Sequence, residues 1–113
     1  MTVLENKQWQ TVCSLEDLVA QSGVAALIEG KQIALFYLPD NDAVYAIDNY
    51  CPFAEANVLS RAIVGDLKGK TVIASPIYKQ HFCLESGECL EDDTVKISVF
   101  ETKIQDNLIQ IAL

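Results

Sequence analysis

One histidine, three prolines and five glycines are all that the 113 residues hold of these types, and eight Lys and Arg face 16 Asp and Glu. Each shortage excludes something. A formal charge of −8 leaves too few clustered cations to neutralise phosphates, which excludes nucleic acid as a partner. With His81 alone, a metal site or proton relay lacks a second imidazole. Cys13, Cys51, Cys83 and Cys89 contain no Cys-x-x-Cys spacing, so a zinc knuckle has no support. There is no Gly-x-Gly-x-x-Gly for a dinucleotide and no cysteine cluster of the kind that holds a [4Fe–4S] centre. Ser60, Ser75 and Ser86 lie in no Gly-x-Ser-x-Gly elbow, and His81 is their only candidate base. No apolar run approaches the ~20 residues of a membrane span. Residues 1–7 show no basic region leading into a long hydrophobic stretch, which predicts no signal peptide and a cytoplasmic protein.

What is present describes a globular chain. Half the residues are apolar and 21% charged, enough to fold rather than stay disordered. The length predicts a single domain over residues 1–113. Acids recur at Glu85, Glu88, Glu91, Asp92 and Asp93, as a solvated surface or as a steering face for a basic partner. Without an export signal the cysteines read as free thiols. Cys83 and Cys89 flank a tight turn over residues 84–88, which leaves a labile disulfide across a hairpin as the alternative.

Most of the chain reads as short strands between turn signals. Residues 9–13 alternate as an opening strand. Ser14-Leu15-Glu16-Asp17 has the form of a capping box and predicts one short helix near residues 14–20, stopped before Gly23. Residues 24–28 and 31–37 flank Glu29-Gly30, a two-residue hairpin signal. Turns at residues 39–42, 68–70 and 105–107 separate strands at 43–48, 71–74, 95–100 and 108–112. Gly65 is placed to supply a positive φ ahead of the strand that starts near Lys70, and Arg61 is a surface charge or a partner contact. Strands at this spacing with little helix predict an all-β fold, an antiparallel β-sandwich or small barrel.

Two loops carry the most distinctive residues: Asn49-Tyr50-Cys51-Pro52-Phe53-Ala54-Glu55-Ala56, and Ala74-Ser75-Pro76-Ile77-Tyr78-Lys79-Gln80-His81-Phe82. With the strands around them they resemble the Rieske ferredoxin-like fold across nearly the whole chain. Together with Val58-Leu59-Ser60-Arg61, Phe82-Cys83-Leu84 and Cys89-Leu90-Glu91-Asp92, they are similar more narrowly to the small subunits of assimilatory NAD(P)H-dependent nitrite reductase. Where that family often has Asp before Pro-Phe, this chain has Cys51.

A Rieske cluster takes Cys-x-His from one loop and Cys-x-x-His from the other. In that frame the ligand positions are Cys51, Phe53, Ser75 and Tyr78, a degenerate set with one ligand left. The resemblance therefore implies no cofactor on this chain, with FAD, an Fe–S cluster and sirohaem on a large partner subunit. It implies a non-catalytic small subunit that supports reduction of nitrite to ammonium. The loop tip, Pro52, Phe53, Pro76, Ile77, Tyr78 and Lys79, is then either loop packing or a surface that docks on the large subunit. Burying Phe53 would contribute roughly 1.5–3 kcal/mol to ordering the loops. Two other functions stay open. One is a small electron carrier with an atypical Fe–S site from Cys51, Cys83, Cys89 and His81; the other is a binding module that senses redox state through Cys83 and Cys89.

Overall fold

A computed structural model describes residues 8–41, 43–67, 69–77 and 79–113. Among these described residues twelve strands form antiparallel sheets, as the spacing of turn signals predicts. They are β1 (Trp9–Ser14), β2 (Gly23–Ile28), β3 (Lys31–Leu38), β4 (Ala43–Asp48), β5 (Tyr50–Cys51), β6 (Ala56–Asn57), β7 (Ile63–Leu67), β8 (Lys70–Ala74), β9 (His81–Cys83), β10 (Val99–Phe100), β11 (Thr102–Gln105) and β12 (Leu108–Ala112). They assemble in the orders β1-β12-β11, β10-β4-β3-β2, β5-β6 and β7-β8-β9.

Strand β3 organises the packing because it is buried on both faces. Ile33 and Leu35 enter one core with Val44, Ala46, Ile109 and Ile111. Ala34, Phe36 and Leu38 enter a second with Leu59, Ile73, Phe82 and Leu84. Side chains alternate along a strand, so a strand covered on both sides must be apolar almost without interruption. The run Ile33-Ala34-Leu35-Phe36 is that sequence, with exposures of 0, 0, 1 and 0%.

The local turn signals are largely realised. Glu29 and Gly30 take φ of 52° and 80°, the pair of positive angles that a tight β2–β3 hairpin requires. Asp106 and Asn107 do the same between β11 and β12, at 54° and 66°. Three expectations are corrected. The helix near residues 14–20 is a single 3-10 turn, Leu15–Asp17. The backbone N–H of Ser14 does donate to Asp17 Oδ2 at 3.0 Å, but Leu18 is already extended, with its side chain buried. Burying Leu18 and bridging Ala20 to Tyr37 take the residues that a second turn would need. Gly65 lies inside β7 opposite Val72, and the positive φ of that hairpin falls at Gly69, 77°. The stretch 95–100 pairs as a strand only at Val99–Phe100, while Ile97 turns into the core. Residues 1–7, on which the absence of a signal peptide was read, lie outside the described residues, as do Asp42, Lys68 and Tyr78. Among the described residues no helix is long and apolar enough to cross a membrane.

Candidate functional site

Asn49 fixes the base of the first loop. It is 2% exposed and uses both its side-chain and backbone groups. Its Nδ2 donates to Gln32 Oε1 at 3.1 Å, and its Oδ1 accepts from the Ser60 N–H at 2.7 Å. Its backbone N–H donates to the Gln32 carbonyl, and its carbonyl accepts from Leu59 N–H, each at 3.0 Å. A buried amide satisfied on every side ties β3, the loop and the 3-10 turn Leu59–Arg61 into one unit. In the sequence Asn49 stands only as the start of the first loop, with no role assigned; its one signal is a polar residue just beyond the apolar strand β4.

Beyond Asn49 the two loops are built alike. Each begins with a small buried residue followed by proline: Cys51-Pro52 and Ser75-Pro76. In the first, Glu55 N–H donates to the Cys51 carbonyl at 2.8 Å; in the second, Lys79 N–H donates to the Ser75 carbonyl at 3.1 Å. Both closing residues are left-handed, with φ of 54° at Glu55 and 63° at Lys79. The loops meet at their first residues, where Cys51 Sγ lies 3.6 Å from Ser75 Oγ with almost no solvent contact on either side. The Phe53 ring is half-buried, its centroid 6.0 Å from that of Phe82. Pro52, Pro76 and Lys79 are exposed, and so is Ile77, at 50%. Tyr78 lies outside the described residues.

The second loop is held from behind by Glu91. One carboxylate oxygen accepts the His81 N–H at 2.8 Å, and the other lies 2.5 Å from His81 Nδ1. The Cys89 thiol reaches the first oxygen at 3.7 Å. Burial pushes the Glu91 carboxyl up, but the hydrogen bonds and charge of His81, with the Cys89 thiol, hold it below the ordinary range. All four cysteines are free thiols. His81 is engaged with Glu91 rather than turned to Cys51, and among the described residues no three of His, Cys, Asp and Glu converge as metal ligands. Cys89 stands opposite Phe82 across the hairpin and shares its core, whereas Cys83 is opposite Val72.

Residues 8–112 match the family model of the Rieske-like [2Fe-2S] domain. The nitrite reductase (NADH) small subunit of Salmonella typhimurium is 38% identical over 104 residues, 92% of this chain and 96% of that one. This chain belongs with the nitrite reductase small subunits of the Rieske-like [2Fe-2S] domain family. The solution structure of the E. coli protein NirD, at 35% identity, superposes with a TM-score of 0.87 over 96% of this chain and 98% of that one. A region of the nitrite reductase [NAD(P)H] large subunit of Klebsiella oxytoca is also 35% identical, spanning 96% of this chain and 11% of that protein.

This membership corrects the expectation that the small subunit carries no cofactor and that FAD, Fe–S cluster and sirohaem all belong to its partner. The family is described by a [2Fe-2S] domain. The ferredoxin of carbazole 1,9a-dioxygenase from Nocardioides aromaticivorans, at 21% identity, has the same fold with a TM-score of 0.79 over 92% of this chain and 96% of that one. The family description thus points to an iron–sulfur group on this kind of chain. The expectation of no cofactor weighed the four ligand positions, whereas the family match spans residues 8–112. The side chains do not fit a Rieske ligand set: at the loop tips the described residues offer the Cys51 thiol, a hydroxyl hydrogen-bonded to it and a phenyl ring packed on Phe82.

Proposed function

We propose that this chain is the small, non-catalytic subunit of a cytoplasmic NAD(P)H-dependent nitrite reductase, one domain over residues 1–113 that docks on the large subunit. One observation carries the reading. A protein named as a nitrite reductase large subunit holds, within its own length, a region 35% identical to nearly all of this chain. A module found both as a separate small subunit and inside the large one works in contact with it. Cys51, Phe53, Ser75 and Tyr78 stand in the degenerate ligand frame of the two loops. The docking surface is the tip: exposed Pro52, Pro76, Ile77 and Lys79, with Phe53 bracing the loop from within; Tyr78 is assigned to it by its place in the sequence. Aromatic and aliphatic anchors on a rigid base suit an interface core better than long mobile side chains do. Among the described residues no Ser or Cys is paired with a base, which supports the reading that nitrite and the nicotinamide react elsewhere in the complex.

The test is co-purification with the large subunit and titration of its nitrite-dependent NAD(P)H oxidation. Ile77→Asp is expected to weaken association by about tenfold or more, with folding unchanged. Failure of the wild-type chain to bind the large subunit would end the whole reading. Undiminished binding by Ile77→Asp would end only the choice of face.

The family description favours a second reading, in which the chain itself passes electrons through an atypical Fe–S site. Iron at the level of one [2Fe-2S] cluster in anaerobically purified protein, with visible bands lost in Cys51→Ala, would carry it. Protein without iron would remove it.

A further inference from the structure

Strand β2 is a sheet edge without a guard. The order β10-β4-β3-β2 leaves one of its sides without a neighbour. An unpaired edge is a template for another strand, and folded proteins blunt such edges with charge, proline, a bulge or shortness. The other edges among the described strands carry one of these devices. β1 has a bulge between Thr11 and Cys13, β7 contains Asp66, and β11 contains Lys103. β5, β6, β9 and β10 are only two or three residues long. By contrast β2 reads Gly23-Val24-Ala25-Ala26-Leu27-Ile28, without charge or proline, and its six residues pair with β3 in unbroken register.

The hairpin decides which backbone groups face outward. Its two-residue turn makes Ile28 and Lys31 the closing hydrogen-bonded pair. Gln21 N–H donates to the Tyr37 carbonyl at 2.8 Å, which sets the same parity from the other end of β3. Val24, Ala26 and Ile28 therefore bond to β3, while Ala25 and Leu27 direct N–H and C=O away from the sheet. Gly23 has the same parity but is closed off by the Ser60 carbonyl, 2.2 Å from where its Cβ would stand. The side chains of Ala25 and Leu27 are exposed, Leu27 at 70%. Opposite Leu27 stands Gln32, whose side chain accepts from Asn49 at the base of the first loop. The open edge thus ends beside one of the two loops that form the tip.

A second copy of this chain does not suit the edge. Six residues span about 20 Å, and joining two such edges buries well under the ~1,200 Å² of a stable interface. Two chains of formal charge −8 also repel. What suits it is an extended segment of a larger partner that makes further contacts elsewhere. We propose that β2 is a strand-addition site for the large subunit. An extended segment of that subunit, free of acidic residues, pairs through its backbone with Ala25 and Leu27 and lays an apolar side chain against Leu27. The site rests on the reading of this chain as a nitrite reductase small subunit and adds a second contact to the loop tip.

The test is amide hydrogen exchange of the full chain, free and bound to the large subunit, read residue by residue, with binding titrations of two variants. The Ala25 and Leu27 amides are expected to slow tenfold or more on binding, and the Ala26 amide, already bonded to β3, to change less. Ala25→Pro removes an outward donor and no bond to β3, and Leu27→Lys supplies the missing charge. Each is expected to weaken binding about tenfold with the urea midpoint unchanged; where Ala25→Pro moves that midpoint, Leu27→Lys at its exposed position carries the test. Wild-type affinity in the variants, or unchanged exchange at Ala25 and Leu27 in a complex that forms, would overturn the site and leave the nitrite reductase reading in place. Failure of the wild-type chain to bind the large subunit would overturn both. Dimers of the free chain that Ala25→Pro abolishes would assign the edge to a second copy and overturn the proposal as well.

Discussion

Glu91 shows how one residue can hold a loop whose own side chains are small. Its two oxygens bind the His81 backbone, the His81 ring and the Cys89 thiol, so the second loop is anchored where it enters β9. Its carboxyl is held below the unfolded value near ~4.3, so the clamp stabilises the protein above that pH and is lost as pH falls through the folded value. The side chain is 46% exposed, and salt will screen part of the effect. Glu91→Gln is therefore expected to be less stable than wild type at neutral pH, with the gap closing below pH ~4. Urea unfolding of both proteins across that range checks it; a gap that stays constant would show that Glu91 is not the titrating group. None of this clamp was legible from sequence, where Glu91 was one acid in an acidic run. Its partner stands ten positions away and is brought near by the hairpin between β9 and residues 88–90.

At the scale of elements, what was readable was local. The Glu29-Gly30 hairpin, the opening strand and the final strand follow from residues adjacent in the chain, whose angles and alternation need no distant partner. The glycines divide on this basis. Gly65, expected to turn the chain, sits in β7 with open space where a Cβ would go. Gly23 opens β2 against the turn Leu59–Arg61, and a Cβ there would lie 2.2 Å from the Ser60 carbonyl oxygen and 2.8 Å from the Phe36 ring. Gly23→Ala should therefore cost about 2 kcal/mol or more through backbone displacement. Gly65→Ala should stay within about 0.5 kcal/mol of wild type, or stabilise slightly. Chemical denaturation of the pair decides it; equal losses would mean the close approach of β2 to that turn is not what constrains Gly23.

For the whole molecule, the decisive fact is that β3 serves two cores at once, and the loop tip is built on the second of them. Phe36 is fully buried there beside Phe82, against which Phe53 of the first loop packs. Phe36→Ala is expected to cost about 3–5 kcal/mol. It should also speed hydrogen exchange at Glu55 N–H, whose bond to the Cys51 carbonyl closes that loop. A loss below about 1.5 kcal/mol, or an unchanged Glu55 amide, would separate the loop from the core. Strand periodicity, the hairpins and the two proline-bearing loops were legible in the amino-acid order, because each is set by neighbours a few residues apart. That order did not reach the helix cut to one turn by the burial of Leu18, nor Asn49 as the anchor of the first loop. It did not place Cys51 against Ser75, or set Cys83 and Cys89 on opposite faces. Those outcomes belong to the tertiary structure, because each rests on contacts made only when packing brings separate segments of the chain together.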